Sequence, residues 1–121
     1  MNFTLAAMVL GAIRPSAERI ESFRESHPEP DAVLAVEIPL LFECGLENMV
    51  DEVVVVAAEQ EVQIDRLTTR NLSRDESLRR IHSQMPLESK ISRADRVIRN
   101  DSDLRSLEAS VKRMWDEIRL P

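Results

Sequence analysis

Two runs of apolar, mostly β-branched residues constrain the fold of this chain more than any other feature. Residues 32–38 read Ala-Val-Leu-Ala-Val-Glu-Ile, and residues 52–57 read Glu-Val-Val-Val-Val-Ala. Runs that lack an alternation of polar and apolar positions are typical of strands buried on both faces of a parallel sheet. A third, shorter strand is expected over residues 95–99, around Val97 and Ile98.

The stretches between these runs have the spacing of helices. We expect helices over residues 3–13, 15–25, 59–70, 73–85, 86–93 and 104–118. Ser73 and Glu76 form a capping box, and Pro86 separates two of the helices. The last helix carries an apolar stripe on which Trp115 is expected to anchor the core. Strands that alternate with helices predict an α/β domain with a parallel sheet.

The charge of the chain is unevenly distributed. The net charge is −6, which argues against a broad nucleic-acid surface. Between Arg66 and Arg99, however, nine residues are basic and four are acidic. A basic island on an acidic protein suits a compact polyanion better than a long one.

Several classes of protein are disfavoured by composition. No run approaches the roughly 18 apolar residues of a membrane span, and the first residues lack the basic start of a signal peptide. Cys44 is the single cysteine, so no internal disulfide can form, which fits a cytoplasmic protein. His27 and His82 have no metal-ligand spacing with Cys44, so we predict no structural metal and an inert thiol.

Three segments are candidates for chemistry. Gln63, Arg66 and Arg70 lie on one face of the predicted helix over 59–70, and neither arginine has a carboxylate three or four positions before it. Two such guanidiniums can grip a phosphate group and stabilise a phosphoryl group in transfer. The alternative is an ordinary solvated basic face.

The other two segments are a polar helical pair and an apolar loop. Residues 74–93 have few apolar positions, which suits a lid that opens and closes, or alternatively a plain surface hairpin. Residues 38–43 form an apolar loop at the end of a buried strand. The loop either lines a ligand pocket, where Glu43 orients a hydroxyl or accepts a proton, or folds back on the core.

These segments, in this order, resemble the second half of the dephospho-coenzyme A kinase family. The resemblance rests on six short motifs: Ile38 to Glu43, Gly45 with Leu46, Val50 to Val56, Gln63 to Leu67 with Arg70, Gln84 to Lys90, and Ala94 to Asn100. The match covers roughly residues 32–118, and residues 1–13 match poorly.

The resemblance implies an incomplete three-layer P-loop kinase-type α/β fold with a few parallel strands, flanking helices and a helical lid. It divides the chain into a helical segment (1–31), an α/β core (32–73 and 94–121) and a lid (74–93). It also implies transfer of the ATP γ-phosphate, with Mg²⁺, to the ribose 3′-hydroxyl of dephospho-coenzyme A. No nucleic-acid or membrane partner is implied.

The same resemblance assigns residues to the two substrates. Arg66 and Arg70 would be catalytic and would contact the ATP phosphates, and Asn100 would lie near the adenine. Gln84 and Lys90 would belong to the lid. The dephospho-coenzyme A pocket would be bordered by Pro39, Leu40, Leu41, Phe42 and Glu43.

One departure from the family is decisive. The sequence has only two glycines, Gly11 and Gly45, and no G-x-x-x-x-G-K-[ST], so it holds no phosphate-cradling loop. The family's loop, its early catalytic aspartate and the strand between those at 32–38 and 52–57 would all lie before Met1. We therefore expect a truncated chain that is inactive alone, binds neither ATP nor Mg²⁺ tightly, and self-associates through an incomplete sheet. The alternatives are a non-catalytic nucleotide- or coenzyme-A-binding remnant, or half of another nucleotide kinase.

Overall fold

A computed structural model describes residues 3–6, 13–38 and 40–119, with side chains from residue 17 onward. In chain order its elements are β1 (Phe3–Ala6), α1 (Ile13–Ser26), β2 (Val33–Val36), a 3₁₀ turn (Glu47–Met49), β3 (Val54–Ala57), α2 (Gln60–Thr69), α3 (Arg74–His82), α4 (Leu87–Arg93), β4 (Arg96–Arg99) and α5 (Leu104–Arg119). None of the helices in these ranges is long and apolar enough to cross a membrane.

The strands form two separate parallel pairs. β1 pairs with β2, with Phe3 opposite Val33, and β3 pairs with β4, with Val54 opposite Arg96. Within the described ranges β2 and β3 share no backbone ladder. The α/β class with a few parallel strands is therefore confirmed, and the two predicted strands at 32–38 and 52–57 lie in different sheets.

The prediction of a helix over residues 3–13 is wrong at its start. Residues Phe3–Ala6 are β1, whose backbone groups pair with those of β2. A short apolar run does not by itself distinguish a strand from a buried helix, and here the ladder with β2 outweighs the local pattern. The rest of that predicted helix, up to residue 12, lies outside the described residues.

The start of α3 follows the predicted signal, whereas its end does not. The Ser73 hydroxyl accepts a hydrogen bond from the Glu76 amide at 3.1 Å, which caps α3. α3 ends at His82, before the predicted end at residue 85, and Pro86 is the N-cap residue of α4. Pro86 therefore marks the start of α4, while the break in the helix begins before it.

The core lies between β3, the loop that follows β2, and α4. Its buried members are Ile38, Leu41, Phe42, Val53, Val55 and Ala57. Met85, Leu87 and Ile91 pack against this cluster from the α3–α4 segment. Full burial of such a side chain contributes about 1.5–3 kcal/mol, and these three side chains are partly buried, so each contributes less while together they attach α4 to the core.

The apolar stripe of α5 is not buried, which corrects the prediction for Trp115. Trp115 is 41% exposed and Leu104 is 68% exposed. α5 contacts β4, and the described parts of the helix contain no buried residue. A two-stranded ladder offers a narrow surface, so it covers only part of the stripe, and Val97 of β4 is itself exposed.

Candidate functional site

A cavity of about 1140 Å³ lies between α2 and the α3–α4 segment. It contains five cationic side chains and two carboxylates, those of Glu59 and Glu88. The cations come from four elements, which the chain brings together from distant positions: Arg66, Arg70, Arg80, Lys90 and Arg99. The excess of positive charge makes this cavity a candidate site for an anion.

Arg66 and Arg70 share the α2 wall of the cavity, as their helical spacing predicted. Both are exposed. Within the described ranges, neither guanidinium makes a hydrogen bond or an ion pair. Gln63 also lines this wall, and its amide nitrogen donates to the Ala58 carbonyl at 2.7 Å, which steadies the first turn of α2. Two guanidiniums with open donors can each bind an anionic oxygen.

Arg80 and Arg99 complete the cationic lining from α3 and β4. The sequence placed both in the basic island but did not single them out, because their approach to α2 depends on tertiary packing. The Arg99 guanidinium is paired with the Asp101 carboxylate at 2.9 Å, so part of its charge is already neutralised. His82 also lines the cavity.

The chain after β4 joins the strand ends to α2. The backbone amide of Asn100 donates to the Ala57 carbonyl at 2.7 Å, and the Asp101 carboxylate accepts from the backbone amide of Glu59 at 2.6 Å. This bond from Glu59 is the main reason that the pKa of Asp101 lies below its usual value, with Arg99 and Arg66 adding to the effect. Asn100 is not among the described residues that line the cavity.

The loop predicted to border a substrate pocket is largely folded onto the core. Leu41 and Phe42 are buried in the core cluster, and Leu40 is half-buried with a φ of 61°. That placement matches the alternative expectation of a loop folded back on the core. Pro39 lies outside the described residues.

Glu43 contacts the lid segment directly. Its Oε2 accepts a hydrogen bond from the Met85 amide at 3.1 Å and lies 3.2 Å from the Lys90 ammonium. Lys90 in turn donates to Gln84 Oε1 at 2.9 Å. Partial burial raises the pKa of Glu43, but the Met85 amide and the Lys90 charge hold it below its usual value overall. The contact was missed because these residues are far apart in the sequence.

The two lid helices are attached differently. On α3, Arg74 makes two hydrogen bonds to Glu61 of α2, at 2.9 and 3.1 Å, and both side chains are exposed. On α4, apolar residues pack against the core, and Arg93 pairs with Glu47 at 3.0 Å. α4 is thus better packed than its polar composition suggested, and movement of the segment stays a prediction.

The arrangement suits phosphate binding more than metal or thiol chemistry. In the part of the chain with described side chains, no three His, Cys, Asp or Glu residues are gathered to hold a metal ion. Cys44 is a free, exposed thiol. The cationic cavity, which is lined by α2 and by Lys90, is the strongest candidate site among the described residues.

Comparison with known proteins supports one family throughout. The family model for dephospho-CoA kinase matches residues 4–106. This range begins before the expected residue 32 and ends before the expected residue 118. The dephospho-CoA kinase of Bacillus licheniformis is 45% identical over 84 residues, covering 69% of this chain and 42% of that protein. That of Moorella thermoacetica is 40% identical over 102 residues, covering 84% of this chain and 47% of that protein.

Solved structures agree with the sequence matches. A crystal structure from Thermus thermophilus superposes with a TM-score of 0.67 at 36% identity, covering 87% of this chain and 55% of that one. A dephospho-CoA kinase structure from Campylobacter jejuni gives a TM-score of 0.60 at 27% identity, covering 88% and 53%. The chain therefore spans about half the length of these relatives, and it belongs to the dephospho-CoA kinase family.

Proposed function

We propose that this chain corresponds to the carboxyl-terminal portion of a dephospho-CoA kinase and that its cationic cavity binds the phosphates of ATP. The observation that carries the proposal is the pair Arg66 and Arg70, which open onto one cavity with Lys90 and have no ion-pair partner among the described residues. Guanidiniums bind phosphate oxygens with directed, charge-assisted hydrogen bonds.

In the complete reaction, ATP would donate its γ-phosphoryl group to the ribose 3′-hydroxyl of dephospho-CoA. Arg66 and Arg70 would stabilise the negative charge that spreads over the transferring group. Lys90 would supply a further positive charge from the lid side, and Gln84 would hold Lys90. Asn100, at the carboxyl end of β4, would border the adenine. Leu41 and Phe42 are buried in the core, so of the described loop residues only Leu40 and Glu43 would border dephospho-CoA.

The described residues do not fit a Mg²⁺ site, because they gather no cluster of carboxylates and most of the charged residues that line the cavity are cations. No step of the proposal therefore passes through the ion. Within the given sequence no glycine-rich phosphate loop is present, so the phosphate contacts proposed here are those of the arginines and Lys90. We expect ATP binding to be weak, with a Kd of about 1 mM.

A second candidate function rests on the same cationic cavity. The chain would then be a nucleotide- or coenzyme-A-binding module without catalysis. Both functions place ATP in the cavity, and they differ in turnover.

The test combines binding and turnover on the 121-residue chain. Nuclear magnetic resonance titration of the ¹⁵N-labelled chain with ATP and with dephospho-CoA measures binding and maps it. A coupled assay measures ADP release in the presence of both substrates. We expect ATP to shift amides of α2 and of the α3–α4 segment, with no turnover. Absence of any shift would remove both functions, and measurable turnover would show that the arginines suffice without the loop.

A further inference from the structure

The cavity lysine is held by a residue that lies outside the cavity. Lys90 lines the cavity, whereas Glu43 is not among its described lining residues. Glu43 Oε2 lies 3.2 Å from Lys90 Nζ, and the two side chains are only 20% and 16% exposed. Glu43 therefore acts on a ligand in the cavity indirectly, and Lys90 is the charged cavity residue that it contacts.

The Lys90 ammonium has three N–H donors. One is directed to Glu43 and one to the Gln84 side chain, at 2.9 Å. One donor is left for a ligand in the cavity. A lysine side chain that is free to rotate loses substantial conformational entropy when it binds, and a lysine already held in place loses less.

The same carboxylate oxygen also holds the backbone. Glu43 Oε2 accepts from the Met85 amide at 3.1 Å, and Met85 follows Gln84 in the turn between α3 and α4. The same oxygen therefore holds the Lys90 ammonium and the turn that contains Gln84, the second partner of Lys90.

A neighbouring ion pair provides an internal comparison. Glu47 pairs with Arg93 at 3.0 Å, and the Arg93 guanidinium lies 4.9 Å from the centre of the Phe42 ring. This pair joins the same loop to the same helix. Arg93 does not line the cavity within the described residues. Its guanidinium lies 3.8 Å from the Met85 sulfur, so the Glu47 pair attaches α4 next to the cavity without contacting Lys90.

We propose that Glu43 is a positioning residue, which holds Lys90 and the α3–α4 turn so that the ammonium is presented to a phosphate group in the cavity. The inference rests on the proposed function, since phosphate is the ligand that Lys90 would meet. It assigns Glu43 a role through Lys90 rather than direct contact with a substrate hydroxyl.

The sign of one measurement separates this role from simple charge compensation. If Glu43 only offset the charge of Lys90, its removal would strengthen anion binding, because a negative charge near the phosphate would be lost. If Glu43 positions Lys90, its removal weakens binding despite the more favourable charge.

In the binding test, the full 121-residue chain is titrated with inorganic tripolyphosphate, and nuclear magnetic resonance measures the affinity. Glu43→Gln is expected to weaken binding roughly tenfold, the size of one charge-assisted hydrogen bond. The double variant with Lys90→Ala should bind no more weakly than Lys90→Ala alone, because Glu43 acts through that lysine. The matched control, Glu47→Gln, should change the affinity by less than about twofold. Unchanged or tighter binding by Glu43→Gln, or additive losses in the double variant, would overturn the proposal.

A second measurement does not depend on a ligand. In the ligand-free chain, Glu43→Ala should accelerate hydrogen exchange of the Met85 amide, because it removes the acceptor of that amide. Glu47→Ala should have a smaller effect, because its partner Arg93 reaches only the Met85 sulfur. Equal exchange in wild type and Glu43→Ala would contradict the positioning role even if tripolyphosphate binds. If wild type binds no tripolyphosphate, the proposed function fails separately, and the exchange rates alone decide whether Glu43 fixes the turn.

Discussion

The carboxylate of Asp101 accepts a hydrogen bond from the Glu59 backbone amide at 2.6 Å, and this bond joins the end of β4 to the start of α2. α2 carries Arg66 and Arg70, so the orientation of the two cavity arginines depends on how the helix begins. The Asp101 carboxylate also pairs with Arg99 of the cavity. One half-buried acidic residue therefore links the strand ends to the helix that carries Arg66 and Arg70.

Asp101 should contribute stability that depends on pH. The bond from the Glu59 amide, aided by Arg99, holds the pKa of Asp101 below its usual value. A lowered pKa in the folded state means that the contribution is present above the unfolded value of about 3.9, and is lost as the pH falls through the lowered value. Asp101→Asn should therefore be less stable than wild type at pH 7, and the difference should shrink near pH 3.

Urea unfolding at the two pH values measures this difference. Glu108→Gln is the control, since Glu108 is exposed on α5 and makes no hydrogen bond or ion pair with the described residues. The same difference between wild type and Asp101→Asn at both pH values would show that the charge of Asp101 is not responsible.

The difference in burial predicts that the Ile64 side chain contributes more to stability than the Trp115 side chain. Ile64 of α2 is 2% exposed, whereas Trp115 is 41% exposed. Ile64→Ala should lower the free energy of unfolding by about 2–5 kcal/mol, as expected for a buried aliphatic side chain. Trp115→Ala deletes a larger side chain but should cost less. Chemical denaturation of both variants checks the order, and a larger loss for Trp115→Ala would mean that α5 is packed more deeply than described.

Gly45 closes the turn that places Glu43 beside the lid. Its φ of 65° lies in the left-handed region, and no atom lies within 4 Å of the position that a Cβ would occupy. Gly45→Ala should therefore destabilise the chain through backbone strain alone, by about 1–2 kcal/mol. Gly45→Asn should be milder, because asparagine tolerates this conformation better. Equal thermal unfolding temperatures for Gly45→Ala and the wild type would contradict this account of the turn.

Local sequence signals predicted the positions of the strands and helices better than they predicted which of these elements pack together. The strands at 33–36, 54–57 and 96–99 follow from β-branched runs, and Ser73 and Pro86 mark helix boundaries by their own chemistry. The strand identity of Phe3–Ala6 was missed because it depends on pairing with β2. The exposure of the α5 stripe was missed because helical periodicity indicates which face is apolar but not whether a surface exists to cover it.

The candidate site shows the same division. Arg66 and Arg70 were predictable as a pair because helical spacing alone places them on one face. Arg80 and Arg99 join them only through the packing of α3 and β4, which the sequence pattern does not report. The contact between Glu43 and Lys90 likewise depends on how the loop after β2 meets α4.

The central claim is that the cationic cavity binds the phosphates of ATP through Arg66 and Arg70. The most direct test is titration of the ¹⁵N-labelled chain with ATP, comparing wild type with the double variant Arg66→Ala and Arg70→Ala. Arg113→Ala is the matched control, because Arg113 is an exposed arginine of α5 that does not line the cavity. We expect the double variant to weaken ATP binding at least about tenfold, the loss of one or more charge-assisted contacts, with Arg113→Ala unchanged. Equal ATP affinity in wild type and the double variant, or an equal loss in Arg113→Ala, would contradict the account.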